Sequence, residues 1–313
     1  MSRHSSFRSV LKDWMLPIAM AGGVIFYNWI DYLQFLSPYL IFCMLTITYC
    51  RIKPSDFKIG KFQWSLLLAQ MLMAATALFA LMPFSHTVAT GVFICIFVPT
   101  ATAAPVITGM LGGSVTHVAT YSLVCNLTVA ITGPAILAAI GDHPEMTFTE
   151  SFYRICSSVL PLLLCPIVTA LVLRYSWRKA HHVLADNQAV SFYMWAVALF
   201  IVVGSSVSFI IKNFALSRMP EISGLVAFSA VACGLQFYVG RKVGAHFRDK
   251  VTGGQSLGQK NTVLAIWLAL TYLDPIASIA PAAYVAWHNI VNSYQIIHFH
   301  KQQNKVHKET ATK

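Results

Sequence analysis

Charged residues are scarce in this chain. Asp, Glu, Lys and Arg together make up 11% of its 313 residues, where a soluble domain carries roughly 25%. That excludes an ordinary soluble enzyme. Acid is scarcer still, with 11 Asp and Glu against 22 Lys and Arg and a net charge of +11. The basic excess lies in short loops between apolar runs, so no nucleic-acid surface is expected. Paired cysteine spacing is missing too. Cys43, Cys50, Cys95, Cys125, Cys156, Cys165 and Cys233 lie in or at the edge of apolar runs. They read as small buried hydrophobes, not as disulfides or metal ligands. The chain has no nucleotide-binding loop, no HExxH and no GxSxG. An ATP-driven pump and a membrane hydrolase therefore lack a chemical centre. No enzyme activity, cofactor or metal is expected.

What is present is hydrophobicity: 57% of residues are apolar and the mean hydropathy is +0.63. Apolar runs recur along the whole length, the pattern of a polytopic helical membrane protein. The alternating segments of about 10 residues that mark a transmembrane barrel are not visible. Ten spans are expected, at about 13–30, 34–50, 63–84, 86–111, 114–140, 152–174, 189–212, 220–240, 252–271 and 274–298. No small-residue cleavage site follows the first run, which reads as a retained span. With the N-terminus inside, the inner segments hold Arg3, Arg8, Lys12; Arg51, Lys53, Lys58, Lys61; Arg174, Arg178, Lys179; Arg241, Lys242, Arg248, Lys250; and Lys301, Lys305, Lys308, Lys313. The outer segments hold only Arg154, Lys212 and Arg218. The positive-inside rule then puts both termini in the cytoplasm of a multi-pass plasma, or bacterial inner, membrane. One cation is left over. It is Lys260, inside span nine.

Spans one to five and six to ten can be laid over each other with opposite orientation. Each half then places a polar, Gly/Pro-interrupted segment fourth: Pro99–Pro105 (PTATAAP) and Gly253–Asn261 (GGQSLGQKN). Interrupted helices at matching positions of two inverted halves point to a transporter site near the midplane. Lys260 sits near the centre of its span, roughly 15 Å from either surface of a ~30 Å core, too far to snorkel out. A lysine there costs about 2.5–3.5 kcal/mol on insertion scales. It should face the protein interior and pair with carbonyls of span four, with a hydroxyl such as Ser122, or with a bound anion. The alternative is a structural cation that only locks the crossing.

At these two segments the chain resembles the bile acid:sodium symporter superfamily. The resemblance covers most of the chain by span order, but its specific motifs are confined to the two interrupted spans. The family's ninth helix carries Glu-x-Gly-x-Gln-Asn-x-x-Leu-Ala. Here the stretch is Ser256 to Ala265, SLGQKNTVLA, in which Gly258, Asn261, Leu264 and Ala265 match. The family's fourth helix carries Pro-Gly-Gly-Thr-Ala-Ser-Asn. Here Pro99, Thr102 and Ala103 match, and the Ser-Asn pair is Ala104-Pro105. The resemblance implies ten helices in two inverted five-helix repeats with crossed, discontinuous helices four and nine. It implies a panel domain (13–50 and 152–212) and a core domain (63–140 and 220–298), with a cytoplasmic N-terminus (1–12) and tail (299–313). It implies a small or amphipathic organic anion as substrate, held near Thr102 and Asn261 with Thr100 and Thr262 beside them.

The departures bear on the ion. In the family the glutamate, the glutamine, the Ser-Asn pair and hydroxyls on the fifth helix bind two sodium ions. Here the glutamate is Ser256 and the glutamine is Lys260, and the fifth-helix hydroxyl positions fall near Val118 and Ser122. Too few oxygen ligands remain for a hard cation. One Glu plus two sodium ions leaves +1 at the crossing, and so does Lys260 without a glutamate. Lys260 therefore reads as a built-in replacement for the sodium charge, with Ser256, Ser122, Gln259 and Gln70 of span three, leaning towards the ninth helix, around the ion or coupling site. Two mechanisms stay open. Lys260 keeps its charge and the carrier is cation-independent, or it exchanges its proton and couples transport to the proton gradient. His117, one turn from Tyr121, is either a hydrogen-bonded core histidine or a proton relay. The expected function is a sodium-independent secondary transporter of an organic anion. A sodium symporter with a displaced ion site and a non-transporting membrane sensor of the same fold are the alternatives. Gly109 and Gly113 read as close packing at a turn, and the polar basic tail as a mobile end.

Overall fold

The computed structural model describes Met15 and residues 18–30, 32–51, 58–101, 103–141, 146–212 and 218–311. Among these the regular structure is helical, apart from one isolated bridge between Thr100 and Lys260. Residues 18–25 and Tyr27–Ile30 are helical. There follow α1 (Leu36–Arg51), α2 (Lys61–Leu81), α3 (His86–Phe97), α4 (Ala104–Met110), α5 (Val115–Ile140), α6 (Phe148–Ser176), α7 (Arg178–Asp186) and α8 (Gln188–Lys212). The chain continues with α9 (Met219–His246), α10 (Lys250–Gly258), α11 (Thr262–Tyr272), a 3₁₀ turn at Pro275–Ser278, and α12 (Ile279–Ala311). Helices α2, α5, α6 and α9 are long and apolar enough to cross a membrane. Shorter apolar helices lie at Leu36–Arg51, His86–Phe97, Tyr193–Phe209 and Thr262–Tyr272. This is an all-α architecture of membrane-protein character.

The expected fourth and ninth spans are each two short helices separated by extended chain. Ser85 caps α3, its hydroxyl accepting from Val88 N–H at 3.3 Å. The helix stops because Pro99 disfavours the α conformation in the residue before it, and Val98 is indeed extended (φ −58°, ψ 153°). Pro105 lies in the first turn of α4, where no intrahelical N–H is needed. In the other break α10 ends at Gly258, and Gln259 is extended (φ −88°, ψ 113°). Asn261 then caps α11, its side chain accepting from Leu264 N–H at 3.2 Å, as asparagine does at helix starts.

Packing brings the two breaks together. Helix α10 lies directly on α9: a Cβ on Gly253 would stand 2.2 Å from the Gly240 carbonyl oxygen, so only glycine permits that approach. Gly113 packs likewise, since a Cβ there would meet Thr252 Oγ1 at 2.9 Å. The turn expected at Gly109–Gly113 is thus the seat of α10. Helix α1 packs on α6, α7 and α8, while α3 packs on α2, α9 and α12.

Three sequence expectations change. The tail does not leave the helix at residue 298: α12 runs to Ala311, because its Gln, Lys, Glu and Ala residues favour helix and no Gly or Pro interrupts them. Residues 178–186, read as loop, form α7, an amphipathic helix too short and polar for a span-finding pattern. Not all cysteines are buried: Cys43 and Cys165 are exposed and Cys156 is half-buried.

Candidate functional site at the crossed helix breaks

The breaks cross as a short antiparallel bridge. Ala101 N–H donates to Gln259 O at 3.1 Å and Asn261 N–H to Pro99 O at 2.9 Å. Thr100 Oγ1 donates to Ser256 O at 2.9 Å. Each break thereby supplies partners for backbone groups that the other leaves outside its helices, as buried backbone requires.

Lys260 sits in this bridge and is 1% exposed. Its Nζ donates to Ile96 O at 2.8 Å and Val98 O at 3.1 Å. These are carbonyls at the C-terminal end of α3, which no following turn satisfies. A cation there also meets the negative end of the helix dipole. The expected pairing with span-four carbonyls is what the side chain does. No hydroxyl among the described residues joins them. Ser122 does not reach Lys260; its carbonyl and hydroxyl accept from Asn126 Nδ2 at 2.7 and 3.4 Å. Among the described residues, no Asp or Glu is buried and Lys260 is the only buried Lys or Arg.

Gln70 leans on α3, not on the ninth span. Its Nε2 donates to Phe97 O at 2.8 Å, to Val98 O at 3.3 Å and to Cys125 Sγ at 3.3 Å. Its Oε1 accepts from Tyr121 OH. Gln70 and Lys260 therefore share the Val98 carbonyl. Gln259 turns the other way, donating to Gln255 Oε1 at 2.9 Å. Gln255 in turn donates to Asn292 Oδ1 at 3.3 Å and Gln295 Oε1 at 3.0 Å. Ser256 and Thr262 are buried, and neither hydroxyl has a partner among the described residues. Thr102 lies outside the described residues.

His117 is not a core histidine. Its side chain is 49% exposed and pairs through Nδ1 with Asp249 Oδ2 at 3.0 Å. Asp249 also caps α10, and Thr252 Oγ1 accepts from Ser114 N–H at 2.7 Å. The start of α3 is held similarly. Thr87 Oγ1 donates to Asp274 Oδ2 at 2.9 Å, Arg218 pairs with Asp274, and Ser85 Oγ donates to Glu221 Oε1 at 3.3 Å.

Sequence reasoning missed Tyr121, Cys125, Gln236 and Tyr284. Gln236 Nε2 donates to Tyr284 OH at 2.9 Å, and Tyr284 OH donates to Gly258 O at 2.8 Å, at the end of α10. A signal was available: a glutamine and a tyrosine inside apolar runs must find partners, and each half supplies such a pair. No protein-family model matches the chain, and no curated protein matches it.

Proposed function

We propose that this protein is a secondary transporter that moves a small or amphipathic organic anion by alternating access about the crossing of α3–α4 with α10–α11. The reading is of a bile acid:sodium symporter-like carrier in which the ammonium of Lys260 stands in for sodium charge. Lys260 carries the argument. Removing an ammonium from water costs several kcal/mol even after relaxation. Two hydrogen bonds and a helix end offset only part of that, the helix end contributing about 0.3–2 kcal/mol. With no carboxylate buried among the described residues, an anion from solution is the partner we assign to it. The N-terminus of α11 at the same crossing offers the donors and dipole that suit a carboxylate. The unpartnered hydroxyl of Thr262, in its first turn, adds one more group able to hold it.

Two matching sets of contacts support an inverted repeat. Gln70 and Tyr121 attend the end of α3, and Gln236 and Tyr284 attend the end of α10. The start of α3 is tied to Asp274 ahead of α12, and the start of α10 to Ser114 ahead of α5. In this reading α1, α6 and α8, which pack together through α1, form the panel against which the core moves.

A sodium symporter with a displaced site is favoured only by the unpartnered hydroxyl of Ser256. The test needs no substrate. The thermal midpoint of the purified protein is measured in sodium and in choline at matched ionic strength. A ligand that binds only the folded state raises that midpoint by mass action. Sodium and choline are expected to give the same midpoint, in the wild type and likewise in Lys260→Gln. A saturable rise with sodium in the wild type would overturn the replacement of sodium by Lys260.

A further inference from the structure

Outside the crossing, one surface joins a basic cluster on a separate helix to an apolar stripe: the elbow where α6 turns into α7. Helix α6 closes with Trp177 N–H on Leu173 O at 2.9 Å, and α7 opens with His181 N–H on Trp177 O at 3.1 Å. Trp177 itself is neither helical nor extended (φ −138°, ψ 67°). After the bend α7 lies across α1 and the end of α6. It turns His181 inward, 7% exposed, and burial, with Arg174 and His182 nearby, holds that imidazole below its usual range. Arg178, Lys179 and His182 face outward, and Arg51 at the end of α1 is exposed on the same packed unit. Asp186 is the only acidic residue of α7.

The apolar surface below this basic cluster continues it. Val168, Val172 and Tyr175 of α6 are spaced along one face and are 57%, 54% and 72% exposed. Trp177 is 65% exposed at the bend. An apolar stripe that ends in aromatic residues and then in Arg and Lys is the surface of an amphipathic segment at a membrane interface. Its chemistry fits a single kind of molecule, one with an anionic head and apolar tails. A nucleic acid or an acidic peptide would match the basic cluster and leave the stripe unmatched.

We infer that the α6–α7 elbow is a binding site for anionic phospholipid, with Arg178 and Lys179 on the headgroup and the Val168–Val172–Tyr175 face along the acyl chains. The inference rests on reading α6 as a membrane span, and it is independent of what the crossing transports.

The full chain, purified in neutral detergent, is titrated with phosphatidylglycerol, with phosphatidylcholine of the same chain length, and with inorganic phosphate. Retained lipid is counted by native mass spectrometry and the thermal midpoint is followed in parallel. Phosphatidylglycerol should be retained and should raise the wild-type midpoint, while the other two do neither. Basic residues near an anionic surface contribute about fivefold each in affinity, so R178Q/K179Q should bind on the order of 20- to 30-fold more weakly. R248Q/K250Q, at the start of α10, removes the same charge where no exposed apolar stripe adjoins it and should bind as the wild type does. Equal retention of both lipids, stabilisation by inorganic phosphate alone, or the same loss in both double variants would overturn the site. Because the readout is lipid binding and not transport, failure here leaves the proposal for Lys260 standing, and failure of that proposal leaves this one.

Discussion

At the C-terminal end of α3, Gln70 and Tyr121 are joined by Lys260, and the carbonyls of Ile96, Phe97 and Val98 face one ammonium and one amide. At the C-terminal end of α10, Gln236 and Tyr284 do the corresponding work with no cation: the tyrosine hydroxyl meets the Gly258 carbonyl. Here the second amide keeps its Oε1 unpartnered. The neutral end shows that a broken helix in this fold can be closed without a charge. A hydroxyl costs far less to bury than an ammonium. The charge at the α3 end is therefore more than structure requires, which is why we tie it to the anion of the proposed transport.

The widest separation between the two ends should come from reversing that charge. Lys260→Glu places a carboxylate against the Ile96 and Val98 carbonyls with no donor, at a cost of about 3–5 kcal/mol. It should yield no monodisperse protein. Lys260→Met should fold, because Val98 keeps Gln70, and should lose only about 1–3 kcal/mol. If Lys260→Met is as unstable as Lys260→Glu, the ammonium is a structural necessity and the contrast with α10 fails. Gln70→Met should be next, at about 2–3 kcal/mol, since it strands Phe97 O and the Tyr121 hydroxyl. Gln236→Met should fall within about 1 kcal/mol, because it also removes an oxygen that is already unpartnered. Thermal or denaturant midpoints decide both. The tyrosines should separate in the opposite sense. Tyr284→Phe removes a hydroxyl with two partners and strands Gln236 Nε2 and Gly258 O, costing about 2 kcal/mol. Tyr121→Phe removes one bond and leaves Gln70 on its carbonyls, costing about 1 kcal/mol. Equal losses would mean that the two ends are not built alike.

These contrasts mark what the sequence could carry. The break at Pro99–Pro105 was legible because proline acts on the backbone locally, but the one expected over Gly253–Asn261 is confined to Gln259–Asn261, since α10 runs through its glycines to Gly258. Lys260 was legible because a lysine amid apolar residues has nowhere to go except inward, onto carbonyls freed by a break. Partners set by helix rotation were not legible. Ser122 and Tyr121 are adjacent in the chain, and a rotation of about 100° per residue decides which one faces the crossing. The hydroxyl that matched the family position turned to Asn126, and its neighbour met Gln70. Gln70 was seen as a site residue but placed against the wrong helix, since an amide in a span states its need for a partner and not the direction. Helix α7 was missed because nine residues with alternating charge and apolar groups resemble a loop until α1 supplies a surface.

The starts of the broken helices extend the comparison. At α3, Asp274 accepts from Thr87, pairs with Arg218 and caps the turn at Ile276. At α10, Asp249 accepts from Thr252 and pairs with His117. Asp274→Asn should cost roughly 2 kcal/mol, because charge-assisted bonds to several partners weaken together. His117→Asn should cost no more than about 0.5 kcal/mol, because its side chain is half exposed and such pairs contribute about 0–1 kcal/mol. Its loss also leaves the Asp249 cap intact. The same substitution decides what His117 does in a functioning carrier. A relay would carry protons between the surface and Lys260, so His117→Asn would flatten the pH dependence of uptake while leaving the midpoint where it was. A surface clasp would leave the pH profile unchanged and lower the midpoint by no more than that small loss. The partners seen here, one aspartate at a helix start and the ring of Phe62, are those of a clasp, and an unchanged pH profile is the expected result.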